Sequence, residues 1–255
     1  MQTEDYVHLY RLEQDFWWFV GMRAVTAALL DPFCLPAPDR MILDVGCGTG
    51  GNMVWLARYA GSGSIFGIDR EETPLHLCRA NDIPLLARAS AIALPYADES
   101  FDLVTSFDVL CQIPGAREDD RAIKEMYRVL KPSGIALVRV PAHEWMRSGH
   151  DAALHTERRY TLASIQEKLE STGLRVMRAT YANTALLPVA ILRRLLLKRV
   201  GLADSGSDVK PLPPKLQWLN RALTKALTIE ARILKRPNAR LPSGLSAICV
   251  ARKET

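Results

Sequence analysis

The hydrophobic pattern of this chain switches repeatedly between two periods. Short continuous apolar runs of strand length alternate with stretches whose apolar residues recur every three or four positions. Met41–Val45 is a run of the first kind; it breaks into glycines at Gly46, Gly48, Gly50 and Gly51, and a helical pattern follows over Asn52–Tyr59. Ser64–Asp69 reads as a second strand, Thr73–Arg79 as a helix, and a short strand falls near Pro84–Ala87. Phe101–Leu110 is a fourth run, and Arg117–Leu130 a helix with Ile123, Met126, Tyr127 and Leu130 on one face. Lys131-Pro132-Ser133-Gly134 ends that helix before a strand at Ile135–Val140, and strand patterns recur at Leu174–Tyr181 and Ser246–Arg252. Strands alternating with helices predict an α/β fold on a mostly parallel sheet.

Two regions depart from that alternation. Residues 4–30 place Tyr6, Leu9, Tyr10, Phe16, Trp17 and Phe19 at helical spacing, with Gly21 expected to break the pattern before a second helix at Met22–Leu30. Pro32, Pro36 and Pro38 then make a stiff connector. Residues 182–242 fill an interval where two strands need only a turn. They offer an apolar-then-basic stretch at Ala185–Val200, a Gly/Ser/Pro-rich link at Gly201–Pro214, and an amphipathic helix at Leu216–Lys235 with Leu219, Leu223, Leu227, Ile233 and Leu234 as apolar positions. The expected organisation is an N-terminal helical extension or lid (1–38), a core (39–181), a basic helical insert or cap (182–242) and a closing strand (243–255).

Composition adds three constraints. The 255 residues are 48% hydrophobic and 24% charged, the balance of an ordinary globular protein with room for one sizeable core. The start, MQTEDYVHLY, has no apolar h-region, and no run reaches the roughly 18 apolar residues that span a bilayer. Five dispersed cysteines (Cys34, Cys47, Cys78, Cys111, Cys249) read as reduced thiols, so a cytoplasmic location is expected, with a position at the inner membrane face as its variant. The net charge of +5 is concentrated late, because residues 193–240 hold twelve Lys/Arg against three Asp/Glu.

Gly46, Gly48 and Gly51 formally satisfy the dinucleotide pattern G-x-G-x-x-G, a weak signal alone. Asp44 argues against that ligand. A carboxylate two residues before the first glycine would meet a pyrophosphate as a like charge, whereas it suits an ammonium or sulfonium cation. Asp69, at the end of the second strand, is near the position from which a carboxylate receives the two donor hydroxyls of a ribose.

The string Leu43-Asp44-Val45-Gly46-Cys47-Gly48-Thr49-Gly50 closely resembles motif I of the class I S-adenosylmethionine-dependent methyltransferases. Ala89–Tyr96 with Ser100–Val104, and Arg128–Gly134, resemble two further motifs of the same family; together they cover about residues 40–180 and the last ten. The resemblance implies a Rossmann-like, doubly wound, seven-stranded sheet, mostly parallel with an antiparallel edge strand. It implies S-adenosylmethionine as cofactor and S-adenosylhomocysteine as product. The implied cofactor contacts are Asp44, Gly46, Cys47, Gly48 and Gly50 in the first motif, then Asp69 and Arg70, Ser90, Ala91 and Ile92, and Phe107. Two positions depart from the family pattern. Ser90 stands where an acid usually accepts from the adenine amino group, which should weaken that bond by about half. Cys111-Gln112 replaces a usual Glu-His pair, so no proton transfer is assigned there; Cys111 reads as a buried small residue.

The implied activity is methyl transfer to a small-molecule acceptor at O or N, of hydrophobic, lipid-linked or sugar-containing type. A catalytically silent subunit, or other chemistry in the same pocket, are the competing readings. Substrate contacts are expected beyond the carboxyl ends of the strands. There His143, Trp145, His150, Asp151, His155, Arg158, Arg159 and Tyr160 crowd one loop, and Trp17, Trp18 and Arg23 would come from the lid. His150 or His155 is the candidate base for a hydroxyl acceptor. The alternative for His150–Tyr160 is a structural brace. A metal is not expected, because the histidines lack a compact ligand spacing. The basic insert reads as a cap over the substrate pocket, or as a surface lying on anionic membrane through residues 185–235. Nucleic acid is disfavoured, since the region has one aromatic, Trp218, to stack a base.

Overall fold

The computed structural model describes residues 3–35, 37–79, 83, 85–200 and 213–254. Two helices lead, α1 (Thr3–Leu12) and α2 (Trp17–Leu30). Then come β1 (Met41–Val45), α3 (Gly51–Ala60), β2 (Ser64–Asp69), α4 (Glu72–Arg79), β3 (Leu86–Arg88) and β4 (Phe101–Phe107). The second half holds α5 (Glu118–Val129), β5 (Leu130–Pro141), α6 (Gly149–Ala153), α7 (Leu162–Glu170) and β6 (Leu174–Ala182). Helices α8 (Leu187–Val200) and α9 (Gln217–Leu234) precede β7 (Ser246–Lys253). Most of the link expected at Gly201–Pro214, Pro36 of the connector, and Pro84 at the start of the expected third strand lie outside the described residues.

The strands form one seven-stranded sheet in the order β3-β2-β1-β4-β5-β7-β6. Pairing is parallel from β3 to β5, while β7 runs antiparallel to both β5 and β6. The reversed strand is thus the last of the chain, slotted one place inside the edge, which β6 occupies. Successive residues of a strand face opposite sides, and the apolar runs divide accordingly. Leu43, Val104, Val138 and Cys249 join Ile123, Met126, Ile165 and Leu169 of α5 and α7 on one face. Ile42, Leu103, Leu137 and Ile248 join Met22, Val25, Leu29, Leu56, Leu227 and Leu234 of α2, α3 and α9 on the other. A sheet covered on both faces needs such near-continuous apolar strands.

Gly21 does not break the N-terminal pattern; α2 runs through it. A Cβ there would lie 2.5 Å from Leu227 Cβ, so the glycine lets α2 and α9 approach closely. Gly21→Ala gains about 1 kcal/mol of helix propensity but should lose about 1–3 kcal/mol to overpacking. Its melting temperature should fall. A rise would show that the helices do not meet there.

The second half of the insert is tied into the core. Glu230, buried on α9, accepts from Asn183 N (2.8 Å) and Ala185 N (2.7 Å) at the exit of β6. Arg178 Nη2 donates to Leu234 O at 3.0 Å, a carbonyl that the helix end leaves open, and to Ala239 O in the following loop at 3.1 Å. Ile233, expected on the apolar face with Leu234, instead points outward.

Candidate functional site

The turn after β1 is fixed by backbone hydrogen bonds to the next strand. Gly46 N and Cys47 N both donate to Ile68 O at 2.8 Å. Gly46 and Gly48 have φ of 75° and 54°, the left-handed region where glycine carries no penalty. A Cβ on Gly48 would meet nothing within 4 Å, so this backbone faces open space. Asp69, at the end of β2, supports the turn from the side: Oδ2 accepts from Gly48 N (3.0 Å) and Oδ1 from Glu71 N (2.9 Å). Burial raises its pKa despite these bonds. Each oxygen retains a lone pair beyond the bond described. Arg70 points into solvent and pairs with Glu71 at 3.2 Å.

Asp44 lies beneath the turn at 1% exposure. Its Oδ1 accepts from the Thr105 hydroxyl at 2.7 Å. Burial pushes its pKa up to about 7, against the pull of that bond and of nearby Arg139. Arg139 rises from β5, forms an ion pair with Asp108 (2.7 Å), and has its guanidinium against the Trp18 and Phe107 rings at 4.7 and 4.9 Å. Two further groups arrive from the N-terminal helices. Glu13 Oε2 accepts from Gly51 N at 3.0 Å, occupying a donor at the start of α3, and burial raises its pKa. Arg23 Nε donates to Asn52 Oδ1 at 3.4 Å, while its Nη2 is buried without a hydrogen-bond partner. Burial holds the Arg23 pKa below the usual guanidinium value. The lid residues Trp18 and Arg23 therefore come to the same side as Asp44. Glu13, Asp108 and Arg139 were not singled out by sequence, because their partners lie about thirty or more residues away and no local spacing marks them.

Around the rest of the turn, Cys47 is buried and Cys78 Sγ donates to Gly48 O at 3.1 Å. Residues 90–93 close a tight turn through Ala93 N to Ser90 O (3.1 Å), with Ser90 Oγ 3.5 Å from Ile92 N. Ala91 is buried there and Ile92 half-buried. Cys111 is buried, and burial holds its thiol pKa well above the ordinary range.

The loop after β5 is held as a ring around one ion pair. Arg159 and Asp151, with side chains 6% and 2% exposed, meet at 2.7 Å, and Arg159 Nη1 also donates to Ala142 O (3.0 Å). Tyr160 donates its hydroxyl to Asp119 Oδ2 at 2.9 Å. Of the expected substrate contacts, Arg159 has its guanidinium bonded within the loop, and Tyr160 has its hydroxyl bonded to Asp119 on α5. His143 has a φ of 61° and stacks on Tyr181 with centroids 4.9 Å apart. Its Nε2 lies 3.0 Å from Ser243 Oγ. Burial, and then the charge of Arg159, lower its pKa, which favours neutral imidazole. Trp145 beside it is largely exposed. His155 is exposed on the turn after α6. His150 belongs to α6, but its side chain lies outside the described residues.

A parallel sheet whose first strand ends in an open glycine turn, with a carboxylate at the end of the second, defines a domain that binds a nucleoside-containing cofactor. Residues 43–138 match the family model described as a methyltransferase domain. The chain is 40% identical over 100 residues to demethylmenaquinone methyltransferase of Lactobacillus johnsonii, covering 36% of this chain and 40% of that one. It is 33% identical over 157 residues to 2-methyl-6-phytyl-1,4-hydroquinone methyltransferase of Synechocystis, covering 54% and 47%. Geranyl diphosphate C-methyltransferase of Streptomyces coelicolor, solved with S-adenosyl-L-homocysteine, shares the fold at a TM-score of 0.58 and 14% identity, over 92% of this chain and 80% of that one. The chain spans less than half the length of the curated relatives it matches. Residues 43–138 thus form a methyltransferase domain similar to those of the class I S-adenosylmethionine-dependent methyltransferases, whose cofactor is S-adenosylmethionine.

Proposed function

We propose that the protein transfers the methyl group of S-adenosylmethionine to a small lipophilic acceptor. The observation that carries the cofactor half is Asp44: a buried carboxylate under an open glycine turn, ready for a cation and hostile to a pyrophosphate. The residues present fit such a ligand. Arg23 Nη2 is a buried donor in want of an acceptor, suited to the carboxylate of the methionine part. Asp69 has lone pairs for the ribose hydroxyls, and the turn at Ser90–Ile92, with Phe107, suits the flat adenine. When bound, the cofactor supplies an electrophilic methyl on a sulfonium. The protein's part is to align the acceptor in line and to exclude water. Trp18, Trp145 and the His143–Tyr181 stack offer apolar, aromatic surface for this.

The acceptor class is supported by the relatives, whose names are those of methyltransferases acting on a menaquinone precursor and a phytyl hydroquinone. Where the acceptor atom carries a proton, the proposed bases are His150 and His155, joined by His143 on account of its lowered pKa. A lipophilic acceptor also gives the basic segment 185–235 a reason to touch membrane.

Calorimetry should show a binding heat with S-adenosylmethionine and none with NADH; binding of NADH alone would overturn the cofactor assignment. Incubation of labelled cofactor with the lipid fraction of a cell extract should yield a methylated lipophilic product. Label appearing only in polar metabolites would overturn the acceptor class, and tight binding with no product would favour the silent-subunit reading. With product in hand, Ala at the working histidine should lower kcat about 10²–10⁴-fold. A histidine whose replacement leaves kcat untouched is removed as a base.

A further inference from the structure

Helix α9 has two faces, and the fold uses only one of them. Leu227, Ala231 and Leu234 are buried in the core cluster with α2, and Glu230 is buried beside them. The opposite side carries Trp218, Arg221, Ala222, Lys225, Ile229, Arg232 and Ile233, all exposed. Spacings of three and four residues place these on one stripe. Within it the cations Arg221, Lys225 and Arg232 occupy one flank, and Trp218, Ile229 and Ile233 the other.

The apolar members are conspicuous. Trp218 is 64% exposed, Ile229 46% and Ile233 41%, and on the preceding helix α8 Val189 and Leu192 are 63% and 58% exposed. Lys215 precedes the stripe, and Lys235 and Arg236 follow it, also exposed. The single acid of α9 is Glu230, which faces the other way. Among the described residues no carboxylate pairs with Arg221, Lys225 or Arg232. Ion pairing with the described residues therefore does not account for the cations, and core packing does not account for the tryptophan and isoleucines.

We infer that this stripe of α9 is a docking surface for an anionic lipid bilayer, with the helix lying in the plane of the headgroups. A bilayer surface offers both matching halves at once: negative headgroups for the cations, and an acyl boundary about 5–10 Å deep for the aliphatic side chains. Tryptophan is the side chain that favours the boundary between them. No helix among the described residues is long and apolar enough to cross a membrane, so the contact is peripheral. A nucleic acid would answer the cations but leave Ile229 and Ile233 against water. The inference stands on the geometry of α9 alone, so its failure would leave the methyl-transfer reading untouched.

The test is flotation with large unilamellar vesicles at low salt. The full chain should float with phosphatidylcholine vesicles that contain phosphatidylserine and stay behind with phosphatidylcholine alone; high salt should release it. Tryptophan emission should shift to the blue on binding, and that shift should vanish in Trp218→Ser. Charge reversal at Arg221, Lys225 and Arg232 together should weaken vesicle binding by at least about 100-fold, with melting temperature and S-adenosylmethionine binding unchanged. Equal binding of the charge-reversed variant would overturn the inference. So would indifference of the native chain to anionic vesicles, or a stripe whose mutation changes only self-association or RNA binding.

Discussion

Asp44→Asn should weaken S-adenosylmethionine binding by at least about 30-fold, the loss of one partner from a buried charge contact costing about 2–5 kcal/mol. The same variant should be more stable than the native protein when no ligand is present. The two effects have one cause. Burial raises the Asp44 pKa from 3.8 to about 7, with Thr105 as its closest donor. A carboxyl whose folded pKa lies above its unfolded value contributes stability that is whole below the unfolded pKa and is lost as pH rises through the folded one. The unliganded protein should therefore lose up to about 4 kcal/mol through this group between pH 4 and 8. Asparagine keeps an acceptor for Thr105 and has no charge to desolvate. Its advantage in melting temperature should be absent near pH 4 and grow toward pH 8. Cofactor binding should couple to the same proton. A sulfonium favours the ionised form, so affinity should rise with pH up to about 7, and calorimetry below pH 7 in buffers of different ionisation heat should report proton release. Unaltered affinity in Asp44→Asn, or a melting-temperature difference independent of pH, would sink this account.

How much of this was legible beforehand follows the range over which each feature is determined. The strands at Met41–Val45 and Ser64–Asp69 match their sequence limits, because a buried parallel strand declares itself by an unbroken apolar run. The glycine turn is likewise local. Gly21 misled for the opposite reason: its cause is Leu227, on the far side of the chain, and a glycine that makes room for another helix looks in sequence like one that ends its own. Ile233 misled within its own helix. The 3.6-residue period admits two apolar faces on α9, and the sequence does not say which of them meets α2.

The site divides along the same line. Asp44 and Asp69 sit at strand ends beside the glycines they serve, so spacing finds them. Glu13 and Arg23 reach the turn only because the N-terminal segment comes back to the start of α3, and nothing within a window of either residue announces that. Arg139 and Asp108 meet because β4 and β5 are neighbours in register, with Phe107 opposite Arg139. The charges in residues 142–160 were visible as a cluster, but whether they face a ligand or each other depends on burial, which composition does not report.

Arg159→Ala separates those two possibilities. The buried ion pair of Arg159 and Asp151 is surrounded by bonds that leave neither atom set idle: Asp151 Oδ2 accepts from Ser148 N at 2.7 Å, and Arg159 N donates to Glu144 Oε2 at 2.9 Å. Removing the guanidinium takes the Arg159 ion-pair partner from a carboxylate that is 2% exposed and leaves it the Ser148 bond among its contacts. The expected cost is about 3–5 kcal/mol, enough to lower the melting temperature or to release the loop by itself. Local release is the more informative outcome, since the glycine turn at Gly46–Gly50 does not depend on this pair; S-adenosylmethionine should then bind as before while methyl transfer collapses. His143 provides a second readout. Part of its lowered pKa comes from Arg159, so the variant should titrate His143 at higher pH by NMR. The pair Arg159→Met with Asp151→Leu removes both charges and should recover most of the lost stability, because an apolar replacement of similar volume is often neutral where a half-broken pair is not. If Arg159 were a substrate contact instead, Arg159→Ala would leave melting temperature and the His143 titration alone and raise KM for the acceptor. The two accounts predict opposite patterns from one substitution.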